Sequence, residues 1–464
     1  MKFEDSKSNV ERAEATIGSS SEGKENVIQV EFHADANLTG SRQEGPARFS
    51  SPSDISGIQE LLQKHRIVRT EPSFRKRSGT RAFAATEAPS DPDRARFINL
   101  HFPPDADPDK IVKELQDRPE VKRAVRVPKA IPPTAMPTDP LLGTSDQLGA
   151  NGSGLENQWY VYRCRVDRAW SHASGQGVII ADIDFGFRTT HQDLANADLS
   201  RCHNAVDGTA NVSVGAHIDH GTGVAGIAAA SSNQLGIAGF AYDATLWFIQ
   251  ANEAAGTPLP GDAFANAIDW VTGADTGGKR LIINLEVQTA GFGNYEMLPA
   301  VNHAIVTAIQ KGIVVCVAAG NGDRDAGISD DEQPIPPTGS ILVGATSYDF
   351  SVNRRASFSN FGDRVVVAAP GDSDHDVTCG MTSDDAYRNR FGGTSGATPK
   401  VSGTVALMLQ VNPKLTPEEV KEIIMQTGTP VVTEPDKPVG VFLNSDAAVL
   451  AAKAAAEAVV GSTP

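Results

Sequence analysis

The sequence predicts an α/β protein. A doubly wound parallel sheet makes up its larger part, and a small α+β domain precedes it. Three observations carry this. From Trp159 onward, short apolar runs alternate with helical spacings, the pattern of a parallel sheet covered on both faces. Residues 27–127 read β-α-β-β-α-β. Between them, residues 128–157 hold five prolines and no sustained periodicity, which marks a linker. The domain scheme is therefore 1–26, 27–127, 128–157 and 158–464.

Residues 1–26 are polar and Ser-rich and are expected to be disordered. Val27 to His33 alternates as a strand does. Ile55 to His65 places apolar residues at 55, 58, 61 and 62, a helical spacing. Ile67 to Phe74 reads as a second strand, followed by a polar loop in which Arg75-Lys-Arg77 is a solvated cluster or a docking point. Ala95 to Phe102 alternates again, Pro108 to Leu115 reads as a helix, and Val121 to Val127 as a strand. This order is the ferredoxin-like arrangement. In the larger part, Gly177 to Asp184 reads as a buried parallel strand. Further strands are expected at 245–250, 281–285, 313–319 and 341–345. Helices are expected at 220–230, 262–271, 297–311, 396–410 and 416–426, with an Ala-rich helix near 446–459. Such sheets hold ligands at the carboxyl ends of their strands.

At 464 residues the chain exceeds one ordinary core. Its net charge of -16 argues against a nucleic acid or an anionic membrane as the main partner. No apolar run has the length of a membrane helix. The first residues contain no apolar signal segment, and Cys164, Cys202, Cys316 and Cys379 are too widely spaced for a metal knuckle or a disulfide framework. Both features point to a reduced, cytoplasmic protein; a secreted chain that had lost its signal would read the same way.

The chemistry gathers in four places. Ser395 stands in Phe391-Gly-Gly-Thr-Ser-Gly-Ala-Thr-Pro399, where glycines let the backbone turn and a helix begins. Pro399 is expected in the first helical turn. Asp184 ends the first strand, with Asp182 and Asp193 as competing carboxylates nearby. His220 lies in His217-Ile-Asp-His-Gly-Thr-Gly-Val-Ala-Gly226, read as a loop entering a helix. Asn321 follows a strand in Ala319-Gly-Asn-Gly322. A nucleophilic serine needs a base, the base needs an orienting carboxylate, and the oxyanion needs donors. Ser395, His220, Asp184 and Asn321 are of the types that fill these roles, in the order Asp…His…Ser.

These motifs resemble the subtilisin-like (S8) serine proteases. Supporting matches are Ala356-Ser-Phe-Ser-Asn-Phe-Gly, Ala369-Pro-Gly and Asn412-Pro-Lys-Leu-Thr-Pro-Glu-Glu-Val, so the likeness spans about 159–450. The resemblance implies a serine endopeptidase with Asp184, His220 and Ser395 as triad and Asn321 in the oxyanion hole. It implies peptide or protein substrates and no cofactor for the chemistry. It also implies that 27–127 is an inhibitory propeptide, with cleavage in 128–157. Glu286, Val287, Gln288, Gly320, Gly393 and Thr394 would line the substrate cleft. Where the family has Ser-Leu-Gly-Gly, this chain has Glu286-Val-Gln-Thr289; Glu286 either selects a basic residue before the cut or points to solvent. Gly223, Gly396 and Lys400 also depart from the family's usual His, Met and His. Asp193 and Asn233 align with a calcium site common in the family, although a turn carboxylate and a capping amide explain them without metal. Two further readings stay open: a maturation protease or peptide ligase dedicated to one partner, and a pseudoprotease that binds peptide without cutting. Gly221-Thr-Gly-Val-Ala-Gly226, with Glu253, also fits a dinucleotide fingerprint, but no proper strand precedes it.

Overall fold

The computed structural model describes residues 26–33, 43–44, 56–73, 96–103, 105–126, 136–149, 154–215, 217–251, 262–372 and 375–461. The expected disorder before residue 26, the Arg75–Arg77 cluster and Glu253 lie outside them. The chain divides into two compact units, Met1–Pro132 and Pro133–Pro464.

The first unit contains β1 (Asn26–Phe32), β2 (Gln43–Glu44), α1 (Ser56–Lys64), β3 (Arg69–Pro72), β4 (Phe97–Phe102), α2 (Pro108–Gln116) and β5 (Val121–Arg126). The sheet order is β2-β3-β4-β1-β5, with every pairing antiparallel. Without the short β2 this is the ferredoxin-like order. Alternation sends Ile28, Val30 and Phe32 of β1 inward with Ile98, Leu100 and Phe102 of β4, against Leu61, Leu62, Ile111 and Leu115 of the helices. Each fully buried side chain of this size contributes about 1.5–3 kcal/mol. Asp107 caps α2 by accepting from the backbone N–H groups of Asp109 and Lys110, and Pro108 takes the first turn, where no N–H is required.

The second unit is built on an eight-stranded sheet in the order β15-β12-β11-β10-β9-β6-β8-β7. Its strands are β6 (Val178–Asp184), β7 (His203–Asn204), β8 (Thr245–Gln250), β9 (Arg280–Leu285), β10 (Val314–Ala318), β11 (Ile341–Thr346), β12 (Val365–Pro370) and β15 (Val441–Phe442), all paired in parallel. A separate hairpin joins β13 (Asp376–Cys379) to β14 (Tyr387–Phe391). The principal helices are α3 (Ile218–Ala229), α4 (Asp262–Gly273), α5 (Pro299–Gln310), α6 (Gly393–Val411), α7 (Pro417–Thr427) and α8 (Ser445–Gly461).

Strand alternation divides the core into two. Ile179, Ala181 and Ile183 of β6 pack on one face with Phe264 and Ile268 of α4 and Ile305 of α5. Val178 and Ile180 pack on the other with Val224 and Ile227 of α3 and Val401 and Val405 of α6. By the same period of two, Asp182 and Asp184 face α3 and α6.

Helix α6 begins at Gly393, so Pro399 lies in its second turn rather than its first. The missing N–H leaves the Ser395 carbonyl without its usual donor four residues on. Residues from Met136 are anchored to the second unit. Asp139 accepts from the backbone N–H groups of Asn233 and Gln234 and from the Ser232 hydroxyl, and the Leu141 N–H donates to the Gly236 carbonyl.

Candidate active site

The site lies at the carboxyl ends of three neighbouring strands, β6, β9 and β10, and at the start of two helices. Asp184 is the last residue of β6 and is fully buried. His220 sits in the first turn of α3, which begins two residues before the expected start at 220, and its Nδ1 lies 2.7 Å from Oδ2 and 2.9 Å from Oδ1 of Asp184. The Phe185 N–H donates to Asp184 Oδ1 at 2.5 Å. Burial alone would lower the His220 pKa; the charge and hydrogen bond of Asp184 outweigh it and hold the imidazole above its ordinary 6.5.

Ser395 stands in the first turn of α6 and is 9% exposed. Its hydroxyl donates to the Glu286 carbonyl at 3.1 Å rather than to His220. Asn321 follows β10. Its Oδ1 accepts from the Thr394 N–H at 2.9 Å and from the Thr394 hydroxyl, which fixes which end of the amide faces out. The Asn321 side-chain NH2 and backbone N–H both donate to Gln288 Oε1, at 2.9 and 3.1 Å. An amide oxygen therefore occupies the end of the Asn321 side chain that faces the cleft.

The glycines act through space, not flexibility alone. A Cβ on Gly320 (φ +99°) would stand 2.3 Å from the Phe292 carbonyl. One on Gly223 would meet the Phe391 ring at 2.9 Å, and one on Gly226 the Thr378 hydroxyl at 2.6 Å. The Gly-x-Gly-x-x-Gly run thus lets α3 approach the β13–β14 hairpin. It lies inside a helix, which removes the dinucleotide reading.

A cleft of about 430 Å³ is bounded by His220, Asn321, Phe391, Gly393, Arg388 and Arg390. A model of the subtilase family (peptidase S8) matches residues 175–446, which contain all of these. The chain belongs to the subtilase family. An extracellular protease of Xanthomonas campestris pv. campestris is 30% identical over 383 residues, 75% of this chain and 62% of that protein. Subtilisin of Bacillus pumilus is 31% identical over 261 residues, 55% of this chain and 85% of that protein. A protease of Pseudoalteromonas arctica PAMC 21717 superposes with a TM-score of 0.54 at 28% identity, covering 68% of this chain and all of that structure. The chain spans about three-fifths of the length of several curated relatives.

This subtilase departs from the expected cleft in four ways. Glu286 does not line a specificity pocket and does not reach solvent. It is 2% exposed and turned inward toward Asp182 and Asp184, because its position continues the face that Asn284 presents on β9. Val287, on the opposite parity, is buried in the core with Phe264 and Ile305. The charges the cleft does present are Arg388, paired with Asp219 at 3.0 Å, and Arg390. Thr394 is buried and serves Asn321.

Gly396 and Lys400 form one arrangement with Asp376, a partner not recognised in the sequence. Lys400 is fully buried. Its ammonium donates to Asp376 Oδ2 at 2.5 Å and to the carbonyls of Pro370 and Gly396 at 2.8 Å, and lies 4.4 Å from the Tyr160 ring centre. A Cβ on residue 396 would stand 2.8 Å from Asp376 Oδ2, so the glycine makes room for the pair. Burial raises the Asp376 carboxyl to about 6 despite Lys400.

The residues aligned with the calcium site do not fit a closed cation cage. Calcium takes six to eight oxygens. Asp193 Oδ2 is engaged by the Tyr387 hydroxyl at 2.8 Å and the Ile237 N–H at 2.9 Å. Asn233 Oδ1 accepts from the Leu235 N–H, and its NH2 donates to the Gln192 carbonyl. The Gly236 N–H and the Gln192 side chain both donate to the Tyr387 oxygen. The loop thus turns N–H groups toward Asp193 and Tyr387, and of the Asp193 and Asn233 side-chain oxygens only Asp193 Oδ1 lacks a partner. Neither Tyr387 nor its hairpin was expected from sequence; a Tyr-x-x-x-Phe stretch shortly before the serine loop was the available signal.

Among the described residues no helix is long and apolar enough to cross a membrane. All four cysteines are free and buried.

Proposed function

We propose that the protein is a serine endopeptidase in which Ser395 attacks the peptide carbonyl, His220 takes and returns the proton, and Asp184 holds the imidazole. The single observation that carries this is the His220–Asp184 pair, 2.7 Å apart at a cleft floored by Gly393. Ser395 donates to the Glu286 carbonyl in this structure, and catalytic hydrogen bonds commonly form or tighten only when substrate arrives. Asn321 and the Ser395 backbone N–H would hold the oxyanion once Gln288 withdraws. Incubation with a peptide mixture followed by mass spectrometry tests the reading. Many cleaved peptides are expected; intact peptides would overturn it.

One observation favours the non-cleaving alternative: Gln288 Oε1 occupies both Asn321 donors. Gln288→Gly distinguishes the two. A peptidase gains about threefold or more in kcat/KM, because the Asn321 side-chain donor, worth a few kcal/mol in the transition state, is freed. A pure binding module stays inactive.

The first unit is read as an inhibitory propeptide on family likeness and on its own topology. Fervidolysin, whose structure superposes over 93% of this chain with a TM-score of 0.51 at 19% identity, supports the fold alone. Because Asp139 is tied to 232–234, cleavage would fall before it, in the 127–138 stretch. The relatives include an extracellular protease and an extracellular serine proteinase, which favours secretion over the cytoplasm. Structural calcium at Asp193 and Asn233 is replaced, in this reading, by Tyr387. A chelator is expected to leave Tm unchanged; a fall of several degrees would restore the metal.

A further inference from the structure

Three carboxyl groups are packed beneath the triad, and only one is used by the mechanism. Asp182 and Asp184 share a face of β6, and Glu286 reaches the same place from the end of β9. Oxygens of all three lie within 4.8 Å of one another, with exposures of 0%, 0% and 2%. The donors are few. Asp184 takes His220 Nδ1 and the Phe185 N–H. Asp182 Oδ1 has the Asn284 amide at 3.5 Å. Asp182 Oδ2 and both oxygens of Glu286 have no donor.

The other polar groups near the cluster do not change this. From β10 comes the Cys316 thiol, from α3 His220, and from α6 the Ser395 hydroxyl, which donates to the Glu286 backbone. Arg388 of β14 is directed to Asp219. Three buried negative charges with one partner would cost many kcal/mol. A proton on a carboxyl relieves that cost and supplies the missing donor. A metal ion would have to share Asp184 with His220.

We propose that Asp182 and Glu286 are neutral carboxylic acids in the working enzyme, hydrogen-bonded to each other and to Asp184, and that they are positioning residues for the triad carboxylate. This rests on the Asp184–His220–Ser395 reading. An O–H directed at Asp184 fixes its rotamer without adding charge, so Asp184 remains the charge His220 answers to. Burial, and then the neighbouring carboxylates, push both acids well above their ordinary range, in the same direction.

The stability consequence has a definite sign. An acid whose folded pKa is raised binds more protons folded than unfolded, so its stabilisation is complete below the unfolded value and is lost as pH rises toward the folded one. The unfolded values are near 3.8 for Asp182 and 4.5 for Glu286. An amide at either position escapes that loss.

The test is the pH profile of kcat/KM and Tm for wild type, Glu286→Gln and Asp182→Asn, with difference infrared spectroscopy of the protonated-carboxyl stretch in wild type. The amide variants should show kcat about threefold to tenfold lower with KM unchanged, and the acid limb set by His220 should not move. Their Tm advantage over wild type should grow from pH 5 to pH 8. An acid limb displaced downward by about one unit or more would mean that a charge had been removed, and would overturn the proposal. A pH-independent Tm difference, or a chelator-sensitive Tm in wild type that Glu286→Gln abolishes, would overturn it as well. If the variants fail to fold, the infrared band decides: present at pH 8, where Asp376 is ionised, it supports the neutral acids, absent it rejects them. The infrared and Tm readouts do not depend on catalysis, so a failure of the triad reading would be seen separately in Ser395→Ala.

Discussion

Ser395→Ala is expected to reduce kcat to about a millionth of wild type while the protein keeps its Tm within a degree or two. The scale comes from subtilisin, a relative of this chain, in which removing the nucleophile or its histidine alone costs about as much as removing the whole triad. The physical reason applies to any such site: without the attacking oxygen, neither the base nor the oxyanion donors have a covalent intermediate to act on. Folding should be nearly unaffected, because Ser395 makes one side-chain hydrogen bond, to the Glu286 carbonyl, and the alanine keeps the helix start. The same variant reports on processing. Wild type should be clipped before Asp139, and Ser395→Ala should stay full length on a denaturing gel. If both remain intact after purification, self-processing is wrong. If Ser395→Ala retains turnover, the nucleophile is elsewhere.

Asn321→Ala is expected to lower kcat by about 10²–10³ with little change in KM, a magnitude likewise drawn from subtilisin. Here the donor is held ready. Thr394 binds the oxygen end of the amide, so the NH2 end faces the cleft in the ground state and need not reorganise as charge develops. Gln288 makes the prediction more specific. In wild type part of the donor's worth is spent displacing Gln288, so Asn321→Ala should cost more in a Gln288→Gly background than in wild type. Equal costs in both backgrounds would mean that Gln288 is not a competitor. Near-normal kcat in Asn321→Ala would remove Asn321 from the site.

The parts of the site that were legible in sequence are those with local signatures. Asp184 ends an apolar strand interrupted only by Asp182, His220 and Ser395 stand among small residues at helix starts, and Asn321 lies between glycines. The strands at 245–250 and 341–346 and the helix at 262–273 were legible for the same reason, a period held over several residues. What could not be read depends on contacts between distant segments. The direction of Glu286 follows from strand parity and from Asp182 lying across the sheet, 104 positions earlier by number. Lys400 looked like a bare departure until Asp376 of the hairpin supplied its partner. The metal-like alignment of Asp193 and Asn233 held in sequence, but Tyr387 enters that locus from 194 residues away. Pro399 was placed by a rule about first turns, whereas the helix starts earlier because Gly392 and Gly393 (φ +69°) let it.

In the proposed mechanism Ser395 is a nucleophile made reactive by His220. A fluorophosphonate probe measures this directly, because it needs an activated hydroxyl and no particular substrate. Wild type should be labelled with one adduct that peptide mapping places on Ser395, His220→Ala should be labelled orders of magnitude more slowly, and Ser395→Ala not at all. No adduct on wild-type Ser395, or equal labelling rates in wild type and His220→Ala, would contradict the account.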